Sequence, residues 1–383
     1  MGDGGVSPFY LWGKEVPATA GKLLRQEIAP AAQTPEHAGR GFRILYTSRS
    51  GVGSGRPVAV SGVVFLPQGT PPAGGWPIVA WSHGTRGIAD VCAPSWAGSS
   101  ERDMPYLDGW LSKGFAVIAT DYEGLGTPGV HPYLLYKSEA YSILDSVRAL
   151  LNDKSVPLKN EVVLVGQSQG AGAGLGAAWA APGYAPELNI RAAVLTGLVT
   201  SIATAQTHTK AQTYSDPMKM DAGFAMLRFA GTDHAQHPEA DLPSFLTPAG
   251  KVMLQTALHA CLSDVFEKAA ALGLHDGSGE FSRSISPIDY DMEKGFTLPS
   301  GHISVPVFVG TGLDDKMAGV GGQYDAVGAM CSAGSNVVWH TYPGLTHSTA
   351  VMGSFKDSSS FVRAILAGKA PVSNCQMIAT LRG

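Results

Sequence analysis

Charge is scarce in this sequence. Asp, Glu, Lys and Arg make up 15% of the 383 residues, and 27 basic side chains face 31 acidic ones. A surface that binds nucleic acid needs a basic stripe or cluster to meet phosphate, and none is present, so no nucleic-acid partner is expected. Long apolar runs are missing too: stretches such as 115–119 and 305–309 fall far short of the roughly 20 residues that cross a bilayer, so no transmembrane helix is expected. Cysteine is sparse. Cys92, Cys261, Cys331 and Cys375 are widely spaced, with no C-x-x-C pair for zinc or redox chemistry. Their even number fits either buried thiols or two disulfides made in an oxidising compartment, with three pairings open. The opening MGDGGVSPFYLWGKEVP has no apolar core of signal-peptide length, and Val6 stands where a myristoylation signal carries Ser or Thr. The chain therefore reads as either cytoplasmic or a secreted protein in its mature form.

What is present is material for a large core, since 44% of the residues are hydrophobic. At roughly 100–200 residues per domain, the length suits one large domain with a smaller insertion. Short β-branched runs bounded by turn residues predict about eight strands, at 42–48, 58–66, 78–82, 115–121, 162–166, 192–196, 305–311 and 337–342. Helical periodicity is expected at 136–151, 169–180, 323–332 and 348–367. The turn SGVGSGRP between the first two strands is of hairpin type, and helices separate the later ones. That pattern predicts an α/β fold whose sheet starts antiparallel and becomes mostly parallel.

The alternation breaks between about 201 and 302, where several helices and no convincing strand are expected. Helices inserted between late strands of such a sheet form a cap over a site at the strand ends. The expected organisation is thus a core at 1–200, a helical cap at 201–302 and the rest of the core at 303–383.

The run EVVLVGQSQGAGAG contains G-x-S-x-G, Gly166 to Gly170, between a predicted strand and a predicted helix. In that context the pattern is a nucleophile elbow: the serine sits on a tight turn that exposes its hydroxyl, and glycines remove side chains that would clash there. A serine hydroxyl is a weak nucleophile. It needs a histidine base within reach and an acid to orient that base. In α/β-hydrolases these follow in the order Ser, acid, His. Ser168 is the candidate nucleophile and His347, in YPGLTHS, the candidate base. Asp315 is the preferred acid in TGLDDKMAG, with its neighbour Asp314 as the alternative. The expected oxyanion donors are the backbone N–H of Gln169 and that of Thr85 in WSHGTRG. His234, His237 and His340 lack a set of partners at telling spacing, so neither a metal nor any other cofactor is expected.

Taken together, WSHGTRG, TDYEGLGTPGVHPYL, GQSQG and YPGLTHS resemble the secretory lipase family of α/β-hydrolases, from about Pro8 to the C-terminus. DYEGLGTPG is the most specific of these, and the run MAGVGG after the acid departs from the Val-Pro usual there. The resemblance implies Ser168, Asp315 and His347 as a triad, secretion, a metal-free carboxylic-ester hydrolase, and pairing of Cys92 with Cys261 and Cys331 with Cys375. The substrate is then a small-molecule or lipid ester, with contact at lipid interfaces as a further possibility and the oligomeric state open. An acyltransferase with the same triad, a specialised natural-product esterase and a catalytically silent binding protein are the alternatives. Phe224, Met226, Leu227, Phe229, Phe245, Leu246, Met253, Leu254 and Leu258 are expected to be mainly the cap's own core rather than an acyl tunnel.

Overall fold

A computed structural model of the chain describes residues 4–203, 220–289 and 297–380. The described residues contain eleven strands: β1 (Leu23–Ile28), β2 (Ala38–Arg49), β3 (Pro57–Pro67), β4 (Trp76–Ser82), β5 (Ala116–Thr120), β6 (Leu158–Gln167), β7 (Ile190–Thr196), β8 (Ser201–Ile202), β9 (Thr297–Leu298), β10 (Val307–Gly312) and β11 (Val337–Tyr342). Nine of them form one sheet in the order β1-β2-β3-β5-β4-β6-β7-β10-β11. The β1–β2, β2–β3 and β3–β5 pairs are antiparallel and every later pair is parallel.

Parallel strands covered on both faces need apolar side chains pointing both ways, which explains the unbroken apolar runs in β4, β5 and β6. Alternate residues supply the two cores. Ile78, Ala80, Val162 and Leu164 pack with Ile143, Val147 and Leu175 from the helices Tyr136–Asn152 and Gln169–Tyr184. Val79, Trp81, Val163 and Val165 pack on the other face with Leu107, Trp110, Val362 and Ile365 from the helices Asp103–Leu111 and Phe355–Leu366. Each large apolar side chain fully buried in this way contributes about 1.5–3 kcal/mol.

A third core is built mainly from the stretch of chain that follows β7 and precedes β10 in sequence, with Ile88, Tyr133 and Leu134. Met226, Leu227, Phe229, Phe245, Leu246, Met253 and Leu254 are all buried in it, and Phe224 and Leu258 pack against its edge. The disulfide Cys92–Cys261 joins the segment after β4 to the start of the helix Leu262–Ala271, and Cys331–Cys375 closes the C-terminal part. Both pairings are those implied by the family resemblance.

Several elements differ from expectation. The sheet has nine strands rather than eight, because β1 is a half-exposed edge strand whose LLRQEI carries too much charge to read as one. The stretch expected to lack strands contains β8 and β9, two residues each, which pair with one another. The helix expected at 348–367 is two helices, Thr349–Gly353 and Phe355–Leu366, parted at Ser354. Residues 204–219 and 290–296, part of the expected cap, lie outside the described residues.

Candidate active site

The parallel strands end side by side at one edge of the sheet, with Ser82 opposite Gly166, Gln167 opposite Thr196 and Gly312 opposite Tyr342. β6 ends at Gln167 and the helix Gln169–Tyr184 begins two residues on, so Ser168 makes the whole turn, at φ +57° and ψ −122°. A non-glycine residue held there costs on the order of 1–3 kcal/mol, which the surroundings must offset. They do so by hydrogen bonds. The Ser168 N–H donates to Thr196 O at 3.0 Å, and its carbonyl accepts from Ala171 N at 2.9 Å and Gly172 N at 3.2 Å. The two flanking glycines are sterically required: a Cβ on Gly166 would run into the carbonyl of Gly170, and one on Gly170 into the carbonyl of Ser82 on β4. Ser168 itself is half-buried.

His347 follows β11 and lies within the fold at 6% exposure, not on the surface at a helix start. Its ring packs on Gly197, where an added Cβ would stand 2.7 Å from Cε1 and 2.8 Å from Nδ1. Gly197 directly follows Thr196, the residue that holds the Ser168 amide, so the imidazole is seated beside the elbow. The ring Nδ1 is 2.8 Å from Asp315 Oδ2, which makes it the protonated nitrogen. Nε2 is buried and has no hydrogen-bond partner among the described residues. The lone pair on that nitrogen is the one a base would use, and no bond to Ser168 occupies it in this state.

Asp315 sits on the loop after β10, 4% exposed. Besides His347 it accepts from Met317 N at 3.0 Å, Ala318 N at 2.9 Å and Gln323 Nε2 at 2.9 Å. Burial pushes its carboxyl upward. The hydrogen bond and charge of His347, with the two backbone donors, outweigh that and hold the group below its ordinary value. Asp314, by contrast, is exposed, and its backbone N–H donates to Leu345 O at 3.0 Å. Of the two candidate acids, only Asp315 meets the imidazole.

Gln169 is the first residue of its helix, so its N–H has no carbonyl four residues back to bond within the helix. Thr85 is half-buried on the loop after β4, and its hydroxyl is engaged with Tyr133 OH at 2.8 Å. His340 stands 3.5 Å from Asp357 and His237 3.6 Å from Glu239. Among the described residues, no group of three or more His, Cys, Asp or Glu is arranged to hold a metal ion.

Sequence reasoning missed the residues that hold these groups. Gln323 joins Asp315 to Thr311, whose hydroxyl donates to Gln323 Oε1 at 2.8 Å and accepts from Trp339 Nε1 at 3.0 Å. Glu139 and His131 both meet the Gln169 side chain. These partners come from separate elements, and no local spacing announces them.

A serine on a strand-to-helix elbow, an acid after β10 and a histidine after β11, on a mostly parallel sheet in this order, define the α/β-hydrolase fold. The sequence profile of the secretory lipase family matches residues 97–374, most of the chain, and the protein belongs to that family. It is a carboxylic-ester hydrolase. Lipase A of Moesziomyces aphidis is 25% identical over 397 residues, covering 96% of this chain and 81% of that protein. A secreted triacylglycerol lipase of Malassezia globosa is 28% identical over 287 residues, covering 71% of this chain and 58% of its own length. Among solved structures, the closed state of Candida antarctica lipase A aligns with a TM-score of 0.73 at 23% identity, covering 95% of this chain and 86% of that one. Among the described residues no helix is long and apolar enough to cross a membrane.

Proposed function

We propose that ester hydrolysis here runs through an acyl-enzyme on Ser168. The Ser168 hydroxyl oxygen attacks the ester carbonyl carbon while its proton passes to His347 Nε2, and the carbonyl oxygen becomes an oxyanion facing the N–H groups of Gln169 and Thr85. Collapse breaks the bond to the alcohol, and the imidazolium returns its proton to the departing oxygen. Water then attacks the acyl carbon by the same route, releasing the acid and restoring Ser168. Asp315 holds the imidazole in the tautomer that leaves Nε2 free and stabilises the positive charge it acquires.

The observation that carries this reading is the seating of His347: buried, bonded through Nδ1 to Asp315, with Nε2 unpartnered, against the glycine beside the Ser168 turn. The triad is metal-free, as the chemistry requires no Lewis acid once a base and two donors are in place. The substrates proposed are lipid esters, with the protein secreted and in contact with lipid interfaces. Family membership and the two disulfides support that placement, because disulfides persist in oxidising compartments. The helical segment between β7 and β10 is the proposed cap. Initial rates with p-nitrophenyl esters from acetate to palmitate test the reading. Wild type should turn over, with the preferred chain length reporting the room beneath the cap, and Ser168→Ala should lose at least about 10³-fold in kcat. Equal rates for the two proteins would remove Ser168 from the reaction.

A further inference from the structure

The segment running from β5 through the first turn of the helix Tyr136–Asn152 touches both residues assigned above as oxyanion donors. Its Glu139 is a buried carboxyl, and no cation pairs with it among the described residues. The Gln169 side chain spends both its amide hydrogens on this segment. One goes to Glu139 Oε1 at 2.7 Å. The other points at His131 Nε2 at 3.1 Å, which is the acceptor nitrogen because His131 Nδ1 donates to Glu123 O at 2.9 Å.

Glu139 also shapes the segment itself. Its Oε1 accepts a 3.0 Å bond from the N–H of Leu134, a non-glycine residue held at φ +63°. Next to it, Tyr133 reaches Thr85 through the 2.8 Å bond between their hydroxyls. Tyr122, another non-glycine residue at positive φ, donates its OH to His83 O at 2.9 Å, two residues before Thr85. One carboxyl therefore secures the side chain of the first donor residue and the strained turn beside the contact to the second.

We propose that Glu139 is a positioning residue for acyl transfer: through Gln169 and through the Leu134 turn it sets the direction of both oxyanion N–H groups. The inference rests on the assignment of Gln169 and Thr85 to the oxyanion. Its physical basis is that the Gln169 Cα carries both the donor N–H and a side chain whose two amide hydrogens are held in the core, so this anchor acts together with the bonds from Ala171 and Gly172 N–H to Ser168 O in orienting the Ser168–Gln169 peptide. Without the carboxyl, Gln169 keeps a buried amide hydrogen with no acceptor and must turn to find one. Burial also pushes Glu139 up to about 8, against the pull of the Gln169 and Leu134 donors, which favours the neutral carboxyl. A glutamine amide reproduces its acceptor oxygen.

Steady-state kinetics on p-nitrophenyl butyrate test the assignment with three variants: Glu139→Ala, Glu139→Gln and Gln169→Met, the last removing the other end of the bond while keeping the backbone N–H. Loss of a whole oxyanion donor typically costs about 10²–10³ in turnover, and misdirection costs less. Glu139→Ala and Gln169→Met should lower kcat about 10- to 100-fold with KM within threefold, and their double variant should be no worse than the poorer single one. Glu139→Gln should stay within about threefold of wild type in kcat. If Glu139→Ala does not fold, Gln169→Met carries the test alone. Folded Gln169→Met with wild-type kcat, or Glu139→Gln as impaired as Gln169→Met, would overturn the proposal. Hydrolysis that survives in Ser168→Ala is a different failure, and would overturn the acyl-enzyme reading instead.

Discussion

Gly197 is where backbone conformation and the imidazole constrain each other most tightly. Its φ of +58° already favours glycine, and a Cβ would stand 2.7 Å from His347 Cε1. Gly197→Ala should lower stability by about 1 kcal/mol or more from the backbone alone. It should also move the ring, and a displacement near 1 Å costs up to about 10²-fold in kcat/KM. Thermal melts and initial rates on one preparation measure both effects. The two aspartates give a sharper contrast. Asp315→Asn should lower kcat by about 10²–10⁴-fold through loss of the productive tautomer, whereas Asp314→Asn, altering an exposed carboxylate, should stay within about twofold. Sequence could narrow the acid to these two neighbours but not separate them, because burial decides and adjacent loop residues share one context. Ser168 and His347 stand out as candidates in the sequence because each lies on a short motif with a mechanical reason. Gln323 and Glu139 do not, since their partners are 8 and 30 residues away.

The helix Gln169–Tyr184 shows how an element's composition follows from its place. A Cβ on Gly172 would meet the carbonyl of Val199 just as one on Gly170 would meet that of Ser82, so the helix start is wedged between two backbones. Gly172→Val should destabilise the fold by about 1–3 kcal/mol, measured by urea unfolding. The Cys92–Cys261 link joins elements 169 residues apart. Replacing both cysteines by serine should cost about 2–5 kcal/mol in the same assay. Strands were the best-read elements: β11 has the expected bounds and the other predicted strands overlap theirs by most of their length. The helix Asp103–Leu111 was not foreseen, because DMPYLDGWL carries Pro and Gly and is a weak helix former. It forms because Tyr106, Leu107, Trp110 and Leu111 are buried against the sheet, a tertiary gain that overrides local propensity.

Across the molecule, two buried carboxyls tie stability to pH. Burial pushes Glu139 up to about 8, and burial with the nearby charges of Asp221 and Asp276 pushes Glu280 up to about 9. Both Glu280 oxygens lack partners among the described residues. The unfolded chain sheds these protons near 4.5, while the native state keeps them until pH 8 or 9. Their contribution is therefore fully present below about pH 4.5 and is lost as pH rises toward 8–9. The melting temperature of Glu280→Gln relative to wild type should accordingly rise between pH 5 and pH 9; a constant difference would contradict the buried state of Glu280. The proposed mechanism makes Ser168 the acylated residue of the sheet, elbow and histidine loop taken together. Labelling with an alkyl fluorophosphonate, followed by peptide mass spectrometry, tests it most directly. One adduct, on Ser168, is expected, formed in step with loss of esterase activity. An adduct on another residue, or activity that persists after Ser168 is fully labelled, would contradict it.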